Sequence, residues 1–237
     1  MKKVLVTGST QGIGKAIAEE FVKQGYEVIV HCSKDIEKAK TVQKEIGAHS
    51  SVVCNLSNMV EVDNLFEKTG GVDCLILNAS VQFKQKWLDI TDDAFDMQYN
   101  VNVKSTLKLI KAYYPYMKER GFGRIVTIGS VNQHRAHTEL PVYSATKCAV
   151  MKIVEVVAKE VAPFGITVNN VAPGAIKTPR NEKEYNDLDI RKAVEAKIPM
   201  GRFGQPNDIV GAVLMLCSEQ GSYITGADIV IDGGFRL

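Results

Sequence analysis

The sequence predicts a single α/β domain, a doubly wound parallel sheet with helices on both faces. Three observations lead there. Short apolar runs alternate with longer amphipathic stretches along all 237 residues. The short runs are apolar on both of their faces, so their strands belong to a sheet covered on both sides. No Pro- or Ser-rich linker, compositional break, internal repeat or low-complexity tract interrupts the series, so residues 1–237 read as one domain.

In chain order, Val4–Val6 is a buried-strand pattern. Residues 12–24 follow as a helix, with Ile13, Ile17, Phe21 and Gln24 at helical spacing and Gly25 as the stop. Val28–Val30 is the next strand, 35–46 a helix, Ser51–Cys54 a strand and 58–69 a helix. Cys74–Leu77 is a strand, 92–118 a long helix, Ile125–Ile128 a strand and 143–162 a helix. Ile166–Val171, a helix over 206–218 and a last strand at Ile229–Ile231 complete the series. The exception is Pro179–Pro199, which carries ten charged residues. It reads as a solvated excursion, a surface loop with a helix or a lid over a site within 179–199.

Composition excludes several function classes. Lys plus Arg is 29 and Asp plus Glu is 27, a net charge of +2 with no strongly basic window. Nucleic acid and anionic membrane therefore have no electrostatic footprint. No run of 18 apolar residues occurs, so no membrane span is expected. The five cysteines, 32, 54, 74, 148 and 217, contain no CxxC pair and are odd in number. Reduced thiols follow, and with an apolar N-terminal run too short for a signal peptide the expected location is cytoplasmic.

Chemistry begins at Thr7-Gly8-Ser9-Thr10-Gln11-Gly12-Ile13-Gly14, between the first strand and the first helix. Glycines let the backbone turn tightly and approach a pyrophosphate, and the helix N-terminus offers N–H groups and partial positive charge to that anion. Tyr143 and Lys147 are four residues apart at the start of a helix and share one face. A phenol with a pKa of about 10 is a poor proton exchanger at neutral pH, but an adjacent ammonium favours the phenolate. Tyr143 could then pass a proton to or from an alcohol or ketone oxygen. Ser130 follows the strand Ile125–Ile128 and can hydrogen-bond the same oxygen.

The Gly-x3-Gly-x-Gly spacing after Thr7, with Ser130 thirteen residues before Tyr143 and Lys147 beyond, resembles the short-chain dehydrogenase/reductase family. The resemblance runs the whole chain. Asn102, in Asn100-Val101-Asn102-Val103, stands where the family places the asparagine of its proton relay, with Asn100 as the rival. Pro173-Gly174-Ala175-Ile176-Lys177-Thr178 resembles the turn beside the nicotinamide, and Ile224-Thr225-Gly226 through Asp232-Gly233-Gly234 fits the family's ending. The resemblance implies a Rossmann-type fold and hydride transfer between a nicotinamide cofactor and a small carbonyl or alcohol. Tyr143 would be the general acid-base, Lys147 would tune it and hold the nicotinamide ribose, Ser130 would polarise the carbonyl, and Asn102 would hold a relay water. Gly8, Thr10, Gln11, Gly12, Ile13, Gly14, Pro173, Gly174, Ile176 and Thr178 are the implied cofactor contacts at these loops, joined by Tyr143 and Lys147. No metal is expected.

Departures from the family pattern refine the cofactor. Where NAD-preferring members carry an acid after the second strand, this chain has Cys32, followed by Ser33 and Lys34. A thiol does not repel a 2′-phosphate, and Ser33 with Lys34 could bind one, so NADP(H) is favoured and NAD(H) remains possible through Asp35. Asn78-Ala79-Ser80 replaces the family's Asn-Ala-Gly, and Asn55-Leu56 stands where an aspartate often meets the adenine. Among members, 3-oxoacyl-carrier-protein reductases and sugar or polyol dehydrogenases are most similar. The carrier-protein enzymes use a basic pair beside the active-site entrance, and those positions are Gly121 and Phe164 here, with Arg120 and Arg124 nearby. The loop 131–142 offers His134, Arg135 and His137 to a polar or anionic substrate. A dinucleotide-binding regulator without turnover is the alternative of another class. Apolar residues on the helices at 102–118 and 143–162 (Leu107, Ile110, Val150, Ile153, Val154, Val157) suit a core or a subunit interface, and the resemblance implies a homotetramer or homodimer.

Overall fold

The computed structural model describes all 237 residues. Seven strands form one all-parallel sheet: β1 (Lys3–Val6), β2 (Glu27–Cys32), β3 (Ser50–Val53), β4 (Cys74–Leu77), β5 (Gly123–Ile128), β6 (Ile166–Pro173) and β7 (Asp228–Ile231). Their spatial order is β3-β2-β1-β4-β5-β6-β7. Successive side chains of a strand point to opposite faces, and here both faces are apolar. Leu5, Ile29, Leu75 and Ile125 enter one core, whereas Val4, Val6, Val28, Val30, Ile76 and Val126 enter the other. This is why the strands read as continuous apolar runs.

Helices cover each face. α1 (Gly12–Lys23), α2 (Ile36–Ile46) and α10 (Asn207–Cys217) bury Ile17, Phe21, Val42, Ile209 and Leu216 on one side. On the other side lie α3 (Met59–Asp63), α4 (Leu65–Thr69), α5 (Asp92–Tyr99), α6 (Ser105–Arg120) and α7 (Pro141–Val161). They supply Val62, Leu65, Leu109, Tyr113, Val150 and Val154. Of the six apolar residues named for α6 and α7, Ile110, Val150 and Val154 are core, while Leu107, Ile153 and Val157 keep part of their surface open.

Two expected helices are interrupted. The stretch 58–69 divides at Asn64, which ends α3 and starts α4. The stretch 92–118 carries a π turn at Asn100–Lys104, and the helix continues to Arg120. The Ser105 N–H reaches back to the Asn100 carbonyl, one residue further than an α-helix requires. The Ser105 hydroxyl donates to the Val101 carbonyl at 2.6 Å and Thr106 to the Asn102 carbonyl at 2.8 Å. These hydroxyls satisfy carbonyls in the widened turn.

The excursion at 179–199 holds α8 (Glu182–Asn186) and α9 (Leu188–Glu195), neither of which buries a residue fully. It is tied to the segment after β4 by an ion pair between Lys84 and Glu184 and by Arg180, which donates to the Ser80 carbonyl at 2.6 Å.

Phe21 is fully buried and meets Tyr26 edge-on at 4.8 Å between ring centroids. Phe21→Ala should cost about 3–5 kcal/mol through lost transfer energy and the cavity left behind, read as a lower urea midpoint with an unchanged slope.

Candidate active site

The strand order reverses between β1 and β4, since β1 connects onward to β2 on one side while β4 lies on the other. A crevice opens at the carboxyl ends of strands where the order reverses. Side chains here bind the two strand ends together. The Thr7 hydroxyl donates to the Ile76 carbonyl at 3.2 Å and accepts from the N–H groups of Asn78 and Ala79 at 2.9 and 3.1 Å. The Asn78 amide donates to the carbonyls of Thr7 and Gly8 at 2.9 and 3.1 Å. A Cβ on Gly14 would stand 2.4 Å from both the Gly8 carbonyl oxygen and the Asn78 amide nitrogen, so only glycine lets α1 come this close. Gly8 itself sits at φ +64, the left-handed region.

Histidine 31, which drew no attention in the sequence, fixes the same loop. The Gly8 N–H donates to His31 Nδ1 at 3.0 Å, and Nε2 lies 3.0 Å from the Cys54 carbonyl. The ring accepts at one nitrogen, so the geometry assigns the neutral tautomer protonated at Nε2. Burial pushes its pKa down to about 4, against the raising effect of its backbone hydrogen bonds. The imidazole is thereby a neutral strut between the glycine loop and the end of β3.

One cleft of about 710 Å³ runs from here across the sheet edge. It is lined by Gly8, Thr10, Gln11, Gly12, Ile13 and Gly14 of the loop, by Cys32, Ser33 and Lys34 after β2, and by Asn55 and Leu56 after β3. Asn78, Ala79 and Ser80 line its middle, and Pro173, Gly174, Ile176 and Thr178 close the far wall. Ser130, Tyr143 and Lys147 face the same space. Asn102 does not. Its side chain is buried behind the wall, where it accepts from the Val81 N–H and donates to the Val81 carbonyl, both at 2.9 Å, and to Thr146 at 3.1 Å.

Pro141 opens α7, which places Tyr143 in its first turn and Lys147 one turn below. Both are nearly enclosed, with 4% and 5% of their surface exposed. Burial raises the Tyr143 phenol. The opposing charges of Lys147 and Arg180 and hydrogen bonding to Ser130 and Ser80 outweigh it, so the net shift is below the ordinary tyrosine value. Burial lowers Lys147, Tyr143 partly restores it, and Arg180 lowers it further. Lys147 Nζ donates to the Ile128 carbonyl at 2.7 Å, which spends one of its three protons. The Asn132 N–H donates to Ser130 Oγ at 3.2 Å, which fixes the hydroxyl where it faces the cleft beside Tyr143.

The loop 131–142 is only partly as expected. His137 lines the cleft. His134 instead contacts the Asp228 carboxylate at 2.6 Å, and the Arg135 guanidinium lies 3.9 Å from the Phe235 ring centroid. Each is taken by the C-terminal segment. Gly121 and Phe164, at the docking-pair positions, precede β5 and β6 and so sit at the amino edge of the sheet, opposite the cleft in this chain. Arg124 is buried, donating to the Gly165 carbonyl at 3.1 Å, and Arg120 pairs with Asp73 at 3.3 Å.

The cleft suits a dinucleotide. α1 has no side-chain cap, so the N–H groups of Gly12, Ile13 and Gly14 are free at its N-terminus. At the β2 end, Asp35 is not a cleft residue: its carboxylate caps α2 by accepting from the Lys38 N–H at 2.9 Å. Lys38, not singled out from the sequence, lines the cleft and donates to Gln11 at 3.0 Å. Its position one helical turn past Ser33-Lys34 was the available signal. No group of three or more His, Cys, Asp or Glu side chains is placed to hold a metal.

His31 makes acid stability a direct test of this architecture. Its folded pKa of about 4 lies below the unfolded value of about 6.5, so its contribution is complete above pH 6.5 and falls away toward pH 4. Urea unfolding from pH 7.5 to 4.5 should show a loss of about 2.5 kcal/mol from this group (about 1.4 kcal/mol per pKa unit). His31→Gln should lower stability at pH 7.5 and flatten that pH dependence.

Comparison with known proteins supports the same architecture. A protein-family model described as "Enoyl-(Acyl carrier protein) reductase" matches residues 8–236. Dehydrogenase/reductase SDR family member 4 of Sus scrofa is 36% identical over 241 residues, covering 98% of this chain and 86% of that protein. The 3-oxoacyl-[acyl-carrier-protein] reductase FabG of Rickettsia felis is 36% identical, covering 100% of this chain and 97% of its own. The crystal structure of 3-oxoacyl (acyl-carrier-protein) reductase from Agrobacterium tumefaciens C58, with NADP bound, superimposes with a TM-score of 0.94 at 34% identity, covering 98% of this chain and 93% of the other. The chain belongs to the short-chain dehydrogenase/reductase family of NAD(P)-dependent oxidoreductases, enzymes that act on CH–OH groups.

Proposed function

We propose that this protein interconverts a small free carbonyl compound and its alcohol, with Tyr143 as general acid-base and NADP(H) preferred over NAD(H). The observation that carries the reading is the buried Tyr143 phenol, lowered against its own desolvation by Lys147 and Arg180, with the Ser130 hydroxyl beside it in the same cleft.

The nicotinamide, when bound, supplies the two-electron step. The chain's residues manage the oxygen. In the reducing direction Ser130 and Tyr143 donate hydrogen bonds to the substrate carbonyl, holding it and drawing charge toward the oxygen. As negative charge develops there, Tyr143 gives up its proton to it. Lys147 remains charged and stabilises the phenolate left behind. Its protons not used on Ile128 are available to the nicotinamide ribose. Asn102 acts as a positioning residue, since its amide holds Val81 and thereby the segment Asn78–Ser80 that forms the cleft's middle.

Cofactor preference follows from charge. Ser33, Lys34 and Lys38 face the cleft, and the acid that could have repelled a 2′-phosphate is turned into a helix cap. The relative crystallised with NADP supports this direction. The substrate is read as free rather than carrier-bound because the basic pair that the resemblance leads one to expect is absent at Gly121 and Phe164, which moreover lie opposite the cleft, and the nearby Arg124 is buried. The intact Ser130, Tyr143 and Lys147 set favours turnover over a purely regulatory role. We also place self-association, as a homotetramer or homodimer, on the partly open apolar residues of α6 and α7.

Tyr143→Phe should lower kcat by about 10²–10⁴-fold while NADPH binding persists, measured by NADPH oxidation against a ketone panel and by thermal shift. NADPH at 100 times its dissociation constant should stabilise the protein by about 2.7 kcal/mol over the ligand-free form, and NADH at equal concentration should stabilise it less. Lys34→Ala with Lys38→Ala should erase that difference. A light-scattering mass near one chain would reject the proposed assembly.

A further inference from the structure

Five cationic side chains line the cleft, Lys34, Lys38, Lys84, Lys147 and Arg180, against one carboxylate, Glu184. Lys34 and Lys38 lie at the β2 end, with the expected cofactor phosphate. Lys147 serves Tyr143, and Lys84 is matched by Glu184. Arg180 is left over. The ion pairs of the excursion join Lys84 to Glu184 and Arg191 to Glu195, and none includes Arg180.

Arg180 is nevertheless positioned. Its Nη2 donates to the Ser80 carbonyl at 2.6 Å. That carbonyl belongs to Ser80, which lines the same cleft as Ser130 and Tyr143, and the Arg180 charge and the Ser80 side chain both act to lower the Tyr143 phenol. The guanidinium is thus held at the reacting end of the cleft by one hydrogen bond, which leaves four of its five donors. A fixed planar fork with free donors matches a carboxylate in two parallel bonds. It is anchored by a backbone carbonyl, which steers the group without neutralising it.

Resting on the oxidoreductase reading above, we propose that Arg180 is a specificity-determining clamp for a carboxylate on the substrate, so that the enzyme acts on a small oxo acid or hydroxy acid. The carbonyl or alcohol carbon lies at Ser130 and Tyr143, and the carboxylate lies toward the 179–199 excursion.

The test is a set of matched pairs that differ in the anionic group. For reduction with NADPH these are 2-oxobutanoate, acetoacetate and levulinate, each beside its ethyl ester. For oxidation with NADP⁺ they are gluconate and sorbitol. In at least one pair kcat/KM should favour the carboxylate by about tenfold or more, the scale of one charge-assisted contact. Arg180→Gln should bring that ratio toward one, with KM rising for the carboxylate alone while kcat falls for both members alike as the Tyr143 phenol loses a neighbouring charge, and Arg180→Lys should keep part of the ratio. A merely structural strap would weaken both members of a pair alike. Saturable binding of the favoured carboxylate to the enzyme–NADP⁺ complex, followed by calorimetry, should disappear in Arg180→Gln.

Ratios at or below one in every pair, with no carboxylate bound, overturn the clamp. So does a ratio that Arg180→Gln leaves unchanged. An Arg180-dependent preference for acetoacetyl-pantetheine 4′-phosphate over its dephosphorylated form, without any carboxylate preference, would also overturn it by moving the anion to a carrier arm. Reduction of neutral ketones with these failures leaves the oxidoreductase reading intact. Absence of NADPH binding removes both.

Discussion

The close approach of two strand ends governs this molecule. β1 and β4 are neighbours in the sheet, yet the chain leaves them for helices on opposite faces. The loops that depart must be held apart far enough for a ligand and close enough to act on it. Thr7 and Asn78 do this with one hydroxyl and one amide, which together make five hydrogen bonds between the strand ends. Because the Gly14 position admits no Cβ, α1 presses directly on that joint. The cofactor loop, the middle of the cleft and the segment bearing Ser80 all take their positions from it.

The second constraint is electrostatic. Lys147 and Tyr143 are both enclosed, and enclosure alone would favour the neutral form of each. The Lys147 ammonium, with Arg180, overcomes the desolvation of the Tyr143 phenol, while the phenolate only partly restores Lys147, whose net shift stays downward. Neither shift is available on an exposed helix, where water would screen the pair. The apolar strands beneath are therefore part of the acid-base chemistry, because they exclude the solvent that would weaken it.

The alternation of strands and helices was legible because each strand is apolar on both faces and each helix on one. The glycine loop could be read from its place between a strand and a helix and Tyr143 with Lys147 from their spacing on one helix face, whereas Ser130 was picked out by the resemblance to the family; the structure brings all of them to one cleft. What the sequence hid depends on contacts between distant segments. His31 looks like an ordinary strand-end residue, and its role exists only where Gly8 and Cys54 meet it. Asp35 could serve ribose or helix, and the α2 N-terminus decided for the helix. The break at Asn64 and the π turn at Asn100 lie between segments that each read as helical, so only the backbone bonding reveals them. His134 and Arg135 were drawn away by Asp228 and Phe235, nearly a hundred residues on.

The π turn has a consequence for the phase of the helix that follows it. A residue inserted into an α-helix advances every later side chain by about 100° around the axis. α6 is therefore rotated relative to the direction α5 would have given it, and in that rotated setting Leu109, Tyr113 and Met117 point at the sheet. Removing one residue between Asn100 and Lys104 would heal the backbone bonding and swing that apolar row off the core. The irregular turn is thus a register mark in the chain: the length of this segment, more than its composition, is what the fold must conserve.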